Sequence, residues 1–254
     1  MQVDINADLG ERFGVYDLGD DKGLMDVITS ANIACGFHAG DYRTMAKTVA
    51  HAAKKGVNIG AHPGYQDLFG FGRRAIAMPA EEIHALTVYQ IGALEGFCRA
   101  QGTRIHHVKP HGALYNLAAV DEDAARAVVR AVQDTVPRAV LVGLAGSVLV
   151  KEGRHAGLTV AEEVFADRTY ADDGTLTPRT HPDAVLTDPA HIKQQVLAML
   201  KEGHVTTTGG RKIPVQADTV CFHGDGQEAT ALARMVRASL ESMGACIRPM
   251  GGRG

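Results

Sequence analysis

Short apolar runs alternate with amphipathic stretches along the chain. Runs at 2–8, 31–36, 57–62, 106–110, 139–145, 159–166 and 219–223 have the length and composition of buried strands. Helix signals fill the intervals. Leu232, Met235, Val236, Leu240 and Met243 recur at three- and four-residue spacing, and Gly244 follows as a C-cap. Pro79-Ala-Glu-Glu opens another helix with acidic residues in its first turn, as the helix dipole favours. Asp188-Pro189 starts a third, running to about Leu200. Strands alternating with helices predict a mainly parallel sheet with right-handed crossovers. Seven strand–helix units fit two dinucleotide-binding halves poorly, and no G-x-G-x-x-G follows a strand, so the expected architecture is an α/β fold closed as a (β/α) barrel. The stretch His204–Val215 has a Gly-Gly turn between β-rich flanks and reads as a hairpin inserted before the last strand. No linker or repeat interrupts 1–254, so a single catalytic domain is expected.

Composition narrows the function classes. The 254 residues are 45% hydrophobic and 22% charged, ordinary values for a globular chain, with a formal net charge of −3. That balance gives no electrostatic reason for a nucleic-acid partner or an anionic membrane surface. No run approaches the roughly 18 apolar residues of a membrane span, and no secretory signal is visible, so a cytoplasmic location is expected. Cys35, Cys98, Cys221 and Cys246 form no C-x-x-C pair; Cys35 and Cys221 lie inside strand-like runs, where cysteine acts as a small buried hydrophobe.

The chemistry sits where the runs end. In a parallel barrel the strand C-termini share one face, where ligands bind. Asp8, His38, His62, His111, His223 and Asp225 all fall at or just past such ends, which predicts one active site. Asp4, Asn6 and Asp8 alternate along the first strand and point to one face, a costly arrangement inside a barrel unless hydrogen-bonded or functional. Glu11, in the following loop, is ambiguous. Lys109 and His111 flank a stiffening proline, and a lysine at a barrel mouth suits an anion or a carbonyl oxygen. His106 and His107 read as structural. The loop Pro63–Arg74 is long and aromatic and reads as a substrate cover, with Arg73 or Arg74 offered to a carboxylate or phosphate. Asp167 and Arg168 end the sixth strand, and their loop continues through Gly174 to Arg179. In His223-Gly-Asp-Gly226, Gly224 and Gly226 would present backbone amides to an anion at a helix start. Asp8, His62 and His111 also have the ligand types for a divalent metal with open positions.

Several of these segments are longer motifs. D-I-N-A-D-L-G-E, S-A-N-I-A-C-G-F-H-A-G-D, I-G-A-H-P-G, V-Y-Q-I-G-A-L, H-V-K-P-H-G-A-L-Y-N, E-V-F-A-D-R-T-Y, D-G-T-L-T-P-R and H-G-D-G resemble the LamB/YcsF family, read as the A component of 5-oxoprolinase, from residue 2 to about 247. Departures are confined to Thr180–Asp183, the hairpin and the tail Pro249–Gly254. The resemblance implies a seven-stranded barrel like those of glycoside hydrolases and polysaccharide deacetylases. It also implies ATP-dependent hydrolysis of 5-oxo-L-proline to L-glutamate, with ATP as co-substrate and 5-oxoprolinase subunits B and C as partners. On that reading Asp8 or His62 is the general base, while Lys109, Arg168 and the amides near Gly224 bind carboxylate or phosphate. No Walker A sequence is present, so ATP is expected in a pocket without that motif, at an interface or on a partner. The competing readings are a metal-dependent amide hydrolase of the deacetylase kind and a lactam-binding scaffold whose partners catalyse.

Overall fold

Seven parallel strands close into a barrel. The computed structural model describes residues 1–16, 19–222 and 229–251. Its strands run in the order β1 (Gln2–Leu9), β2 (Ser30–Ala34), β3 (Asn58–His62), β4 (His107–Val108), β5 (Val140–Leu144), β6 (Val160–Phe165), β7 (His204–Thr206), β8 (Lys212–Pro214), β9 (Thr219–Phe222) and β10 (Cys246–Ile247). From β1 to β6 each strand pairs parallel with the next, and β9 pairs with both β6 and β1, which closes the ring. All seven barrel strands match the apolar runs to within two residues at either end, and β4 is the shortest of them. That strand is shorter than its run because Pro110 has no amide hydrogen, although Lys109 N still donates to Ala61 O at 3.0 Å. The inserted hairpin is present as β7–β8, antiparallel, with Val205 opposite Ile213. β10 has no strand signal in the sequence; it pairs parallel with the first residues of β1.

The helices are α1 (Asp21–Leu24), α2 (Tyr42–Lys55), α3 (Ala80–Ala100), α4 (Gly112–Ala118), α5 (Glu122–Thr135), α6 (Val148–His155), α7 (Pro189–Leu197) and α8 (Ala229–Ser242). Asp41 caps α2 by accepting from the amides of Arg43 and Thr44, both at 2.8 Å, so the chain leaving β2 turns sharply past the barrel mouth. Pro79 is the N-cap of α3, one place earlier than a first-turn proline, with Glu81 and Glu82 behind it. α8 buries Ala233, Val236 and Leu240, and Gly244 takes a left-handed φ of 78° just past its end. α7 gives way to a π-helical turn at Ala198–Glu202 before the hairpin. Among the described residues no helix is long and apolar enough to cross a membrane.

The barrel interior inverts the usual filling by branched apolar side chains. On β1, Ile5, Ala7 and Leu9 are fully buried on the outer face, while Asp4, Asn6 and Asp8 point inward. Hydrogen bonds across the lumen identify that inner face, because Asn6 Nδ2 reaches Glu163 Oε1 on β6 at 3.0 Å. Each buried polar group must find a partner. Asp4 accepts from Thr29, Ser30 and Thr219, all hydroxyls at 2.5–2.6 Å, while burial raises its pKa. Gly60 on β3 leaves room for the inward His107, whose Nε2 meets Asn32 Oδ1 at 2.7 Å. A Cβ on residue 60 would collide with that ring. Gly60→Val should therefore overpack the lumen by about 1–3 kcal/mol and lower the melting temperature by roughly 3–10 °C in a thermal melt.

Candidate active site

Three histidines and a glutamate meet above the polar lumen. His62 ends β3, His111 caps α4, His38 lies in the loop after β2, and Glu11 in the loop after β1. Their ligating atoms all lie within 4.8 Å of one another, and all four residues are buried, so the group could hold a metal ion. His38 stacks on His111 with ring centroids 3.7 Å apart and planes 2° from parallel, while His62 meets both edge-on. Burial, aided by the neighbouring imidazoles, holds His38 and His111 well below the ordinary histidine pKa, so both are neutral.

Backbone carbonyls select the tautomers. His62 Nδ1 lies 2.8 Å from Lys109 O, and His111 Nε2 lies 2.8 Å from Phe71 O. A carbonyl only accepts, so each of those nitrogens carries the hydrogen. In the neutral rings the other two, His62 Nε2 and His111 Nδ1, are then the lone-pair nitrogens, and they face each other at 3.0 Å. Glu11 Oε1 lies 3.4 Å from His111 Nδ1 and 3.2 Å from His38 Nε2. Phe71, whose carbonyl fixes His111, is the one non-glycine with positive φ (53°) among the described residues. Gly72 follows it at φ 61°; a Cβ there would come within 2.7 Å of His38 and 2.9 Å of His111.

Asp8 joins this cluster to a second one. Its Oδ1 is 3.4 Å from His62 Nε2 and accepts from Asn32 Nδ2 at 2.8 Å and Lys109 Nζ at 3.0 Å. The Lys109 ammonium also meets Glu163 Oε1 at 2.9 Å and Cys221 Sγ at 3.0 Å. Burial alone would lower the Lys109 pKa, but the Asp8 and Glu163 carboxylates outweigh it and hold the ammonium charged. Burial raises the Cys221 thiol well above its ordinary value, so the sulfur stays protonated. The sequence offers Lys109 to a substrate anion. Its Nζ instead points across the lumen into two carboxylates, one on β1 and one on β6, because the end of β4 turns the side chain inward.

A cavity of about 250 Å³ opens over Asp8, His62 and His111, with Arg73, Arg168, Arg179, Tyr115 and Phe165 among its walls. Arg168 is buried, donating from Nε to Ala184 O at 3.0 Å and from an Nη to Thr177 O at 2.5 Å. Burial first, then the Arg179 charge, with a smaller push from Arg73, brings its pKa down to about 10. Arg73, Arg168 and Arg179 thus bring three guanidinium groups to the walls of one small cavity. A larger cavity of about 680 Å³ lies at the other end of the strands, beside Gln2, Arg138 and Met250. It is remote from the histidine cluster, and chemistry rather than size selects the smaller one.

Asp8, His62, Lys109, His111, Arg73, Arg168 and Arg179 therefore come together around one cavity, with His38 behind His111. Asp167 is adjacent in sequence to Arg168, and its charge favours the guanidinium. Asn6 lies a layer below, fully buried, its amide engaged by Glu163, Thr219 and Asn32, so it does not reach the ligand space expected of it. Arg74 also turns away, pairing with the buried Asp67 to brace the 63–74 loop. Of the metal trio read from the sequence, His62 and His111 belong to the four-residue group; Glu11 and His38 complete it, and Asp8 does not. His223, Gly224, Asp225 and Gly226 lie outside the described residues. Sequence reading passes over Glu163, Asn32 and Tyr115. A signal for Glu163 is present, since one of two adjacent acids in a strand must face inward.

A (β/α)7 barrel with a buried histidine–carboxylate cluster beside an arginine-lined cavity at one end of its strands is the class that fold and site define. The sequence matches the LamB/YcsF family over residues 3–253, and the chain belongs to that family. The A component of 5-oxoprolinase from Bacillus subtilis is 54% identical over 244 residues, covering 96% of this chain and 95% of that protein. Its counterpart in Brevibacillus brevis is 54% identical over 245 residues, covering 96% of each. The crystal structure of the lactam utilization protein from Thermus thermophilus superposes with a TM-score of 0.90 at 45% identity, covering 98% of this chain and 99% of that one.

Proposed function

We propose that this chain is the A component of an ATP-dependent 5-oxoprolinase, a hydrolase that opens 5-oxo-L-proline to L-glutamate with subunits B and C and ATP as co-substrate. One observation carries the reading. A single small cavity has an arginine wall suited to a carboxylate and, within the same volume, Asp8 and two histidines suited to amide hydrolysis. The relatives' names supply the lactam and the membership of a multi-subunit enzyme.

Arg168 and Arg179 hold the substrate carboxylate, which places the lactam carbonyl over Asp8 and His62. Amide resonance protects that carbonyl from water. Attack of the lactam oxygen on the γ-phosphorus of ATP, with ADP leaving, converts it into an activated ester. Asp8 then takes a proton from a water that adds to the ring carbon. The ring C–N bond breaks, the nitrogen takes up a proton, and a second water releases phosphate from the acyl phosphate. The sequence has no Walker A motif, so the phosphate donor binds in a pocket without that motif, at an interface or on a partner.

Glutamate release from 5-oxoproline, with and without ATP and the candidate subunits, tests this. The chain alone should be nearly inactive and the reconstituted complex active only with ATP. Robust ATP-independent ring opening by the chain alone would overturn the reading in favour of a self-sufficient amide hydrolase. Arg179→Ala in the complex should raise KM for 5-oxoproline roughly 10- to 100-fold, the worth of one charge-assisted hydrogen bond, with kcat changed much less. An unchanged KM would remove Arg179 from the carboxylate site.

A further inference from the structure

We infer that Glu11, His62 and His111 bind one divalent transition-metal ion, with His38 as the residue that positions Glu11. Lys109 O and Phe71 O each take the hydrogen of one imidazole, so with both rings neutral the two remaining lone pairs are aimed at one another across 3.0 Å. Two lone pairs facing at that distance repel unless a cation lies between or beside them, and a carboxylate oxygen 3.4 Å from one of them supplies the third donor.

Two of the three donor separations fit an ion, and all the donor atoms lie within 4.8 Å of one another. Two donors bound to one zinc-sized ion at about 2.0–2.1 Å sit roughly 3.0–3.4 Å apart. The His62–His111 and His111–Glu11 separations are 3.0 and 3.4 Å. Two imidazoles and a carboxylate form a mixed donor set typical of zinc, iron or cobalt sites with open positions. The surroundings are those of ligating histidines, which give their second N–H to a backbone carbonyl that fixes the ring.

His38 plays a different part. Its Nε2 is 3.2 Å from Glu11 Oε1, and its Nδ1 has no partner. If the hydrogen is on Nε2, only a lone pair is left without a partner, which is less costly than an orphaned N–H. His38 therefore donates to Glu11 and stacks on His111, holding two ligands at once. His62 and His111 line the cavity, so the open coordination positions face the space where a lactam oxygen or a water would sit. A metal there would supply Lewis acidity.

Metal binding is measured without substrate, so the test is independent of the lactam reading. The full chain is stripped with a chelator, dialysed, loaded with zinc alone or cobalt alone, and washed. Wild type should retain one equivalent of zinc by elemental analysis, and the cobalt form should show visible d–d absorption. Glu11→Gln keeps the shape and removes the charge, and His111→Ala removes a nitrogen. Each should lose the stoichiometric ion and the absorption while circular dichroism shows a folded chain. His38→Ala should weaken zinc binding roughly 10- to 100-fold, as the loss of an outer-shell partner does, and keep the cobalt spectrum. Wild type that retains no ion, or Glu11→Gln that binds like wild type, would overturn the site. If His38→Ala abolishes binding as fully as Glu11→Gln does, the role given to His38 falls. Glu11→Gln, the near-isosteric change, decides the matter if His111→Ala fails to fold.

Discussion

Asp8→Asn should lower turnover of the reconstituted complex by roughly 100- to 10,000-fold, the loss expected when a general base is removed. The fold should survive. Asparagine keeps the shape and an oxygen for Asn32 Nδ2, and Lys109 keeps Glu163 as its counter-ion at 2.9 Å. Asp8 is 3.4 Å from His62 Nε2, so the two side chains act on the same reacting atoms. Residues that act as a unit show non-additive losses. The Asp8→Asn, His62→Ala double variant should accordingly be little worse than the poorer single. Turnover of both singles and the double, with thermal melts as the folding control, checks this. Near-wild-type turnover for Asp8→Asn, or losses that multiply across the pair, would falsify the shared-cluster claim and move catalysis to the partners.

The barrel is legible because its strands are buried on both sides and its crossovers are helices, so apolar runs and periodic stretches alternate cleanly. The convergence of Asp8, His62 and His111 follows from the strand ends alone. What the sequence does not show is depth. Lys109 and His111 are two residues apart, read alike and line the same cavity, yet the ammonium is drawn inward to Asp8 and Glu163 while the imidazole joins the other histidines. Arg73 and Arg74 are equally ambiguous, and only the buried Asp67 decides which of them is drawn away. Glu11 is ambiguous in the sequence because its loop returns to the cluster through contacts distant along the chain, including Gly40 N to Arg12 O at 2.8 Å. Tautomers are still less visible, since they depend on which carbonyl each imidazole meets.

Lys109→Met should be the most destabilising single change in the lumen. Asp8 and Glu163 share one ammonium, and removing it leaves two carboxylates buried with no cation between them. Breaking a buried ion pair from one side costs about 3–5 kcal/mol, equivalent to a fall of roughly 6–20 °C in melting temperature for a chain of this size. Glu163→Gln alone should cost less, because the Asp8–Lys109 pair remains neutral overall. Adding Glu163→Gln to Lys109→Met should restore part of the stability by removing one of the two uncompensated charges. Melts of wild type, both single variants and the double measure this directly. A Lys109→Met deficit that is small would show that the lysine charge does not hold these carboxylates in place.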